Sequence, residues 1–208
     1  MEKNYEKVLL YHMTDIHNIP QILNTKALIA YHNIQDYVSM AHQSVQTKRE
    51  RIKIKYPPYG SLHDYVPFYF APRSPMLYAI YKNNVDSYYG NQADVIYLVT
   101  NVAQVIRHKY SYVFTNGHAI RNYTEQFSDI TKLEQAVDWS VMQAQYWQDP
   151  AKKNRRQAEF LIHNRFYIKH LLGFAVMNYE IYNLLKCQLL KNTPFQDMYV
   201  AVRSDWYF

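Results

Sequence analysis

Apolar and polar positions alternate in short blocks along this chain. Val8-Leu9-Leu10-Tyr11-His12 reads as a first strand that turns polar at its end, which sets His12 just ahead of a turn. Asp15 then caps a helix whose Ile16, Ile19, Ile22 and Leu23 recur at helical spacing, with Pro20 tolerated in the first turn. Ala27-Leu28-Ile29 predicts a second short strand. Residues 34–46 are polar with spaced apolar positions, a pattern compatible with helix. Arg51, Lys53 and Lys55 next alternate with Ile52 and Ile54, the period of a one-sided strand. Tyr56-Pro57-Pro58-Tyr59-Gly60 must be loop.

Tyr65-Val66-Pro67-Phe68-Tyr69-Phe70 is an aromatic strand ending near Pro72. Ser74-Pro75 then opens a helix, with Ser as cap and Pro at the first helical position. Here Tyr69, Arg73 and Met76 are placed to wall a flat, mainly apolar slot. Residues 94–99 predict a strand, and Val102, Val105 and Ile106 a short helix. Tyr112-Val113-Phe114 is another strand, after which Asn116-Gly117 marks a tight turn with His118 at its tip. Residues 122–153 form a long, weakly apolar connection, with Thr131 and Glu134 spaced as a capping pair. Phe160-Leu161-Ile162 reads as a buried strand. Residues 166–171 predict a short helix or turn, 173–176 a strand, 179–190 an amphipathic helix and 198–202 a last strand. Strands and helices mix without strict alternation, which predicts an α+β fold around a mixed, largely antiparallel sheet, in one domain spanning 1–208.

Composition narrows the chemistry. Four glycines leave little for a phosphate-binding loop, and neither G-x-G-x-x-G nor a Walker A pattern is present. The single cysteine, Cys187, excludes an intramolecular disulfide and falls in the pattern of Ile181, Leu184, Leu185 and Leu189 as a small core residue. His12, His17, His32 and His63 lack metal-site spacing. No apolar run approaches ~18 residues and no signal peptide is visible, so no membrane role and a cytoplasmic location are expected. A net charge of +6 suits a polyanion, and 22 tyrosines suit unpaired bases, where stacking is worth ~1–3 kcal/mol per base. An aromatic core on a mildly basic protein accounts for the same composition.

One carboxylate stands out. Glu159 sits where the polar run Arg155-Arg156-Gln157 enters the apolar strand. Such a position aims a side chain into a cleft from a rigid backbone, although a surface ion pair with Arg155 or Arg156 fits the same residues.

Several strings at their spacing resemble the DarT family of DNA ADP-ribosyltransferase toxins. They are Leu10-Tyr11-His12-Met13-Thr14 with Asn18-Ile19, Asp64-Tyr65-Val66-Pro67-Phe68-Tyr69-Phe70, Pro72-Arg73-Ser74-Pro75-Met76-Leu77-Tyr78, Asn116-Gly117-His118-Ala119 and Arg156-Gln157-Ala158-Glu159-Phe160-Leu161. The resemblance runs from the first strand to Trp206-Tyr207-Phe208. It implies an ADP-ribosyltransferase fold related to poly-ADP-ribose polymerase and diphtheria-toxin domains. It also implies cleavage of NAD+, without metal, and transfer of ADP-ribose to a base in single-stranded DNA. The chain looks more like the branch that modifies thymidine at ring nitrogen N3 than the branch that modifies guanosine. The family's partner is the macrodomain antitoxin DarG, and a monomer is expected. A non-catalytic single-stranded nucleic-acid-binding module is the competing reading. Carried over by motif, Glu159 is the catalytic glutamate, and His118 lies near the acceptor base. His12, Thr14, Asn18, Tyr69 and Met76 belong to the NAD+ pocket. The family's catalytic arginine matches more loosely, with Arg49 preferred and Arg51 second; Arg49 would also contact NAD+. Arg51, Tyr146 and Arg155 are the DNA-facing candidates.

Overall fold

The computed structural model describes residues 5–208. Strand β1 (Leu9–Asp15) leads through a turn into helix α1 (Ile19–Thr25) and strand β2 (Ala27–Ile29). An extended strap, 34–42, precedes helix α2 (Gln43–Arg51), strand β3 (Tyr65–Tyr69) and helix α3 (Pro75–Tyr81). Strand β4 (Val95–Asn101) and helix α4 (Val102–Arg107) follow, then strands β5 (Tyr112–His118) and β6 (Gln126–Phe127). The connection to Glu159 carries three short helices, α5 (Leu133–Ala136), α6 (Trp139–Gln143) and α7 (Pro150–Arg155). Strands β7 (Ala158–His163), β8 (Arg165–Tyr167) and β9 (Gly173–Val176), helix α8 (Tyr179–Asn183) and strand β10 (Val200–Val202) complete the order.

Eight strands form one sheet in the order β10-β9-β4-β1-β3-β7-β5-β6. Among the described residues only the β9–β10 pair is parallel. Side chains alternate across a strand, so each strand feeds both faces. On one face Leu10, Phe68, Leu98, Phe114, Phe160 and Phe174 join a single cluster, covered by α1, α4, α5, α6 and α8. Each such buried side chain contributes ~1.5–3 kcal/mol, which fixes the register of the central strands. The other face is divided. Tyr11, Met13, Tyr97 and Val99 pack with Leu77 and Ile80 of α3. Tyr65, Val113 and Leu161 pack separately with Ile54 and Leu62. Tyr69 and Glu159 are direct neighbours across β3 and β7, on this divided face.

The division follows from the ladder. β1 makes seven register pairs with β4 and β3 makes five with β7, but β1 and β3 share one, Tyr11 with Tyr69. Beyond that pair the two strands splay, and a cleft opens between them. β2 and β8 pair as a small separate sheet, Leu28 opposite Phe166.

The expected α+β fold around a largely antiparallel sheet holds, with local corrections. His12 lies inside β1, not at its end, because the strand continues to Asp15. The 34–46 stretch is extended up to residue 42, and its helix begins only at Gln43. Residues 51–55 form no strand beyond a lone bridge from Lys53 to Ser61. Asn116-Gly117 is no hairpin turn: β5 runs through it with an irregular register against β7. Residues 165–167 are strand. Asp129, not Thr131, caps the turn that starts the α5 region. Cys187 is exposed and not a core residue: at helical spacing it falls on the side opposite Ile181, Leu185 and Leu189, and residues 184–189 wind as a π-helix.

Candidate active site

The cleft encloses about 1090 Å³, its open mouth included. Its wall gathers His12, Thr14, Asn18, Arg49, Tyr69, Met76, His118 and Glu159, which lie far apart in the chain. Most of the remaining lining is apolar, including Ile22, Leu28, Ile34, Tyr37 and Met40. A mainly apolar cleft with a few converging polar groups is the form taken by small-molecule sites.

Glu159 is built into the sheet. Its backbone N–H donates to Thr115 Oγ1 at 3.0 Å, and Thr115 Oγ1 donates in turn to the Gly117 carbonyl at 2.7 Å. The bulged end of β5 thus shapes itself around the carboxylate, and Ala119 N–H points to Glu159 Oε1 at 3.4 Å. Gly117 lets the chain pass close by: a Cβ there would meet the Asn154 side chain, which would have to shift. The Glu159 side chain is only 1% exposed and takes Arg49 Nη1 at 2.8 Å. Arg49 is 11% exposed. Its Nη2 is buried without a hydrogen-bond partner, so the guanidinium keeps a donor for a bound group.

Arg49 and Arg51 are two residues apart on one helix, so they point about 200° apart and only one can face the cleft. Arg49 does; Arg51 is exposed on the outside of α2. The surface-pair alternative for Glu159 is not what forms. Arg155 instead pairs with Asp138 at 2.8 Å. Arg156 is buried, and its Nη1 donates to the carbonyls of Val141, Met142 and Ala144 while Nη2 donates to Pro72. It staples the 122–155 connection to the end of β3.

His12 bridges the splay between the strands. Its Nδ1 lies 2.8 Å from the Pro67 carbonyl. A carbonyl only accepts, so Nδ1 carries the hydrogen and Nε2 is left as an acceptor. Burial pulls the His12 pKa down to about 4, against a weaker opposing effect of that hydrogen bond, so the ring is neutral near pH 7. His118 is likewise lowered to about 4, by burial first, with Glu159 opposing and Arg49, Arg121 and Lys48 reinforcing. Burial, and next the Glu159 charge, raise the Tyr69 phenol, which stays protonated.

Asn18 and Thr14 face the cleft but are committed elsewhere. Asn18 Nδ2 donates to Thr14 Oγ1 and to the Val38 carbonyl, and Val38 N–H donates to Asn18 Oδ1 at 2.7 Å. This two-way clamp fastens the strap over the cleft. Arg73 does not join Tyr69 and Met76 in walling the slot; its guanidinium lies 4.5 Å from the Phe208 ring centroid. Tyr146 is 79% exposed, clear of the cleft.

One site residue escaped the sequence reading. His63 is buried in the cleft wall, stacked on Tyr31 at 4.0 Å, with Nε2 3.1 Å from Gln46 Oε1. Gln46 precedes Arg49 by one helical turn, so this contact holds the helix that presents the arginine. Nothing in the local pattern around His63 signals it, since its partner is 17 residues away. Among the described residues no group of three or more metal-ligating side chains is assembled.

A family model described as ssDNA thymidine ADP-ribosyltransferase, DarT, matches residues 11–208. A DNA ADP-ribosyl transferase of Thermus sp. (strain 2.9) is 37% identical over 213 residues, covering 100% of both chains. One of Escherichia coli O127:H6 is 32% identical over 211 residues, covering 99% of this chain and 95% of its own. The solved structure of Thermus sp. 2.9 DarT in complex with ADP-ribosylated ssDNA matches with a TM-score of 0.93 at 36% identity over 100% of both chains. The same protein in complex with NAD+ matches with a TM-score of 0.87 at 35% identity over 98% of both.

Proposed function

Since the chain belongs to the DarT family of single-stranded DNA thymidine ADP-ribosyltransferases, we propose that the cleft around the Arg49–Glu159 pair is where NAD+ is cleaved and ADP-ribose passed to thymidine. The protein is a DNA ADP-ribosyltransferase that uses NAD+ as its substrate. The observation that carries the assignment of residues is the Arg49–Glu159 contact at 2.8 Å, buried at the floor of an apolar cleft.

The chemistry asks for this arrangement. Breaking the bond from the anomeric carbon to nicotinamide builds positive charge on the ribose. A fixed carboxylate that accepts a hydrogen bond from the 2′-hydroxyl stabilises that charge. Glu159 is fixed by the sheet, and Arg49 orients it. His12 Nε2 accepts from a hydroxyl of the dinucleotide, while Tyr69 and Met76 bound the slot for the nicotinamide ring. Nicotinamide departs neutral with the electrons of the broken bond. Thymine N3 then bonds to the anomeric carbon and passes its proton to the lone pair of His118 and on to water. Arg49 positions the base for this step rather than acting as its base, because guanidinium holds its own proton too tightly. His118, neutral near pH 7, has a free lone pair beside the acceptor. N3 is engaged in a base pair within a duplex, which fits an unpaired substrate. Thr14 and Asn18 act by holding the strap.

We extend the reading to the surroundings of the reaction: a monomer in the cytoplasm, acting as a toxin opposed by a macrodomain antitoxin of the DarG type. The decisive experiment incubates the protein with NAD+ and oligonucleotides that each contain one kind of target base, followed by mass spectrometry. A mass gain of one ADP-ribose on thymidine-containing strands is expected. Label on guanosine alone, or on no DNA, overturns the assignment.

A further inference from the structure

Helix α3 presents two surfaces. Met76 lines the cleft, while Leu77 and Ile80 are buried beneath the helix. Tyr78 and Tyr81 point outward, 40% and 42% exposed. Around them the fold assembles rings from distant parts of the chain. Tyr78 meets Phe208 at 5.0 Å and Trp147 at 6.4 Å, and Tyr81 stacks on Phe208 at 5.9 Å. Two cations lie over these rings. Lys82 Nζ is 4.7 Å from the Tyr81 centroid, and Arg73 covers Phe208 at 4.5 Å. Among the described residues neither cation makes an ion pair with a carboxylate. Arg73 Nε is buried without a hydrogen-bond partner, and Arg73 holds a positive φ of 54°, unusual for a residue with a side chain.

We propose that this ring-and-cation surface, built on Tyr78, Tyr81, Lys82, Arg73 and Phe208 and backed by the buried Trp147, is a second binding track for single-stranded DNA that holds nucleotides flanking the modified base. The inference rests on the DNA-modifying reading above. Unpaired bases offer flat faces to aromatic rings, and the phosphates that link them need cations. The surface supplies both, and among the described residues neither cation is taken up in an ion pair. A protein partner fits less well, because the centres of protein interfaces are depleted in lysine. The position fits as well. The platform shares α3 with the cleft, and Trp147 belongs to the connection that ends at Glu159. Arg156, three residues before Glu159, lies 6.0 Å beneath the Trp147 ring. A strand with its target base in the cleft thus meets the platform at the cleft's edge.

The test measures binding of fluorescent oligothymidylates of increasing length to the full chain and to Tyr78→Ala/Tyr81→Ala and Lys82→Glu. Wild-type affinity is expected to step up once the strand is long enough to reach beyond the cleft. The double variant should lose that step, with roughly tenfold weaker binding of long strands and short strands unaffected. Tyr78→Phe/Tyr81→Phe keeps the rings and should restore it. Lys82→Glu should flatten the dependence of binding on salt. NAD+ binding by calorimetry checks that each variant is folded with an intact cleft. Equal affinity of wild type and double variant at every length overturns the proposal. So does a concentration-dependent mass in solution that the double variant abolishes, which makes the patch an interface between copies. If wild type modifies no DNA at all, the assignment of function fails first, and that outcome is read from the same samples by mass spectrometry.

Discussion

Glu159 and Arg49 meet at 2.8 Å, yet one is part of the sheet and the other hangs on a helix that buries nothing. β7 holds Glu159 between β3 and β5, with ladders on both sides and a bulge moulded to its backbone. α2 has no buried residue, and Val45, in the cleft wall, is its one apolar side chain. It is fastened by Gln46 to His63 and by the ion pair itself. The strap leading into it is fastened by Asn18. In the mechanism proposed above, the group that must not move is in the core, and the group that must meet two successive partners is on the less firmly packed wall. Elements that move in a catalytic cycle are drawn from such weakly packed segments.

The largest expected effect falls on the fixed side. Glu159→Gln keeps the shape and removes the charge, and transfer of ADP-ribose to DNA should fall about 10³-fold. Quantitative mass spectrometry of the modified strand reads this, with NAD+ binding retained as the control. Activity within a few fold of wild type would break the assignment of Glu159.

The second prediction tests the asymmetry itself. Arg49→Ala strands a carboxylate inside the sheet, where an unpaired buried charge costs about 3–5 kcal/mol. Glu159→Ala leaves Arg49 on a helix free to turn it toward water, and should cost clearly less. Urea unfolding of both variants decides, and equal losses would mean that α2 is as fixed as β7. Arg49→Lys should recover stability but little activity, because an ammonium lacks the planar fork that meets a carboxylate and a base together.

That asymmetry also explains what the sequence disclosed. The strands that carry the fixed side were legible. Phe160-Leu161-Ile162 and the aromatic run of β3 are apolar because both faces of the sheet are covered, and Ser74-Pro75 announces its helix by local capping, with Leu77 N–H donating to Ser74 Oγ at 3.2 Å. The adjustable side was not. The strap has apolar positions at helical spacing because Ile34, Tyr37 and Val38 face the cleft, and it stays extended because Asn18, 20 residues away, holds Val38. Asn116-Gly117 looks like a turn, but its glycine serves the close approach of Asn154 and its strand bends around Glu159. His12, Thr14, Asn18, Arg49, Tyr69, Met76, His118 and Glu159 were named through the DarT resemblance, the rest of the cleft lining was not, and their burial and partners needed the fold. Arg49 and Arg51 become distinguishable once α2 is known to be helix at that point.

Loosening the adjustable side should do less harm and of a different kind. Gln46→Ala frees α2 from His63, and Asn18→Ala frees the strap. Each should raise the KM for NAD+ several-fold with a smaller change in kcat, since the chemistry on β7 is untouched. Hydrogen exchange should quicken in 34–51 and stay slow in β7. Faster exchange in β7 as well would show that the two walls are one unit.

The smallest effects come from acid, and they also divide between the walls. His12, His63 and His118 all have pKa values lowered to about 4, by burial first in each case, with Arg49 adding to the effect on His63 and His118. In the unfolded chain these rings take up a proton near pH 6.5. Between about pH 6.5 and 4 the unfolded chain therefore binds more protons than the fold. Stability from these groups is complete above that window and drains away as pH falls through it. Melting temperatures measured from pH 7.5 to 4.5 should decline accordingly. His63→Phe removes one of the three contributions and keeps a ring against Tyr31, so its decline should be shallower. The Arg49→Lys variant retains the positive charge that opposes protonation of His63 and His118 and keeps a partner for Glu159, so it should leave the slope unchanged. A shallower decline in Arg49→Lys would mean that the placement of the guanidinium, beyond its charge, helps to keep these histidines neutral.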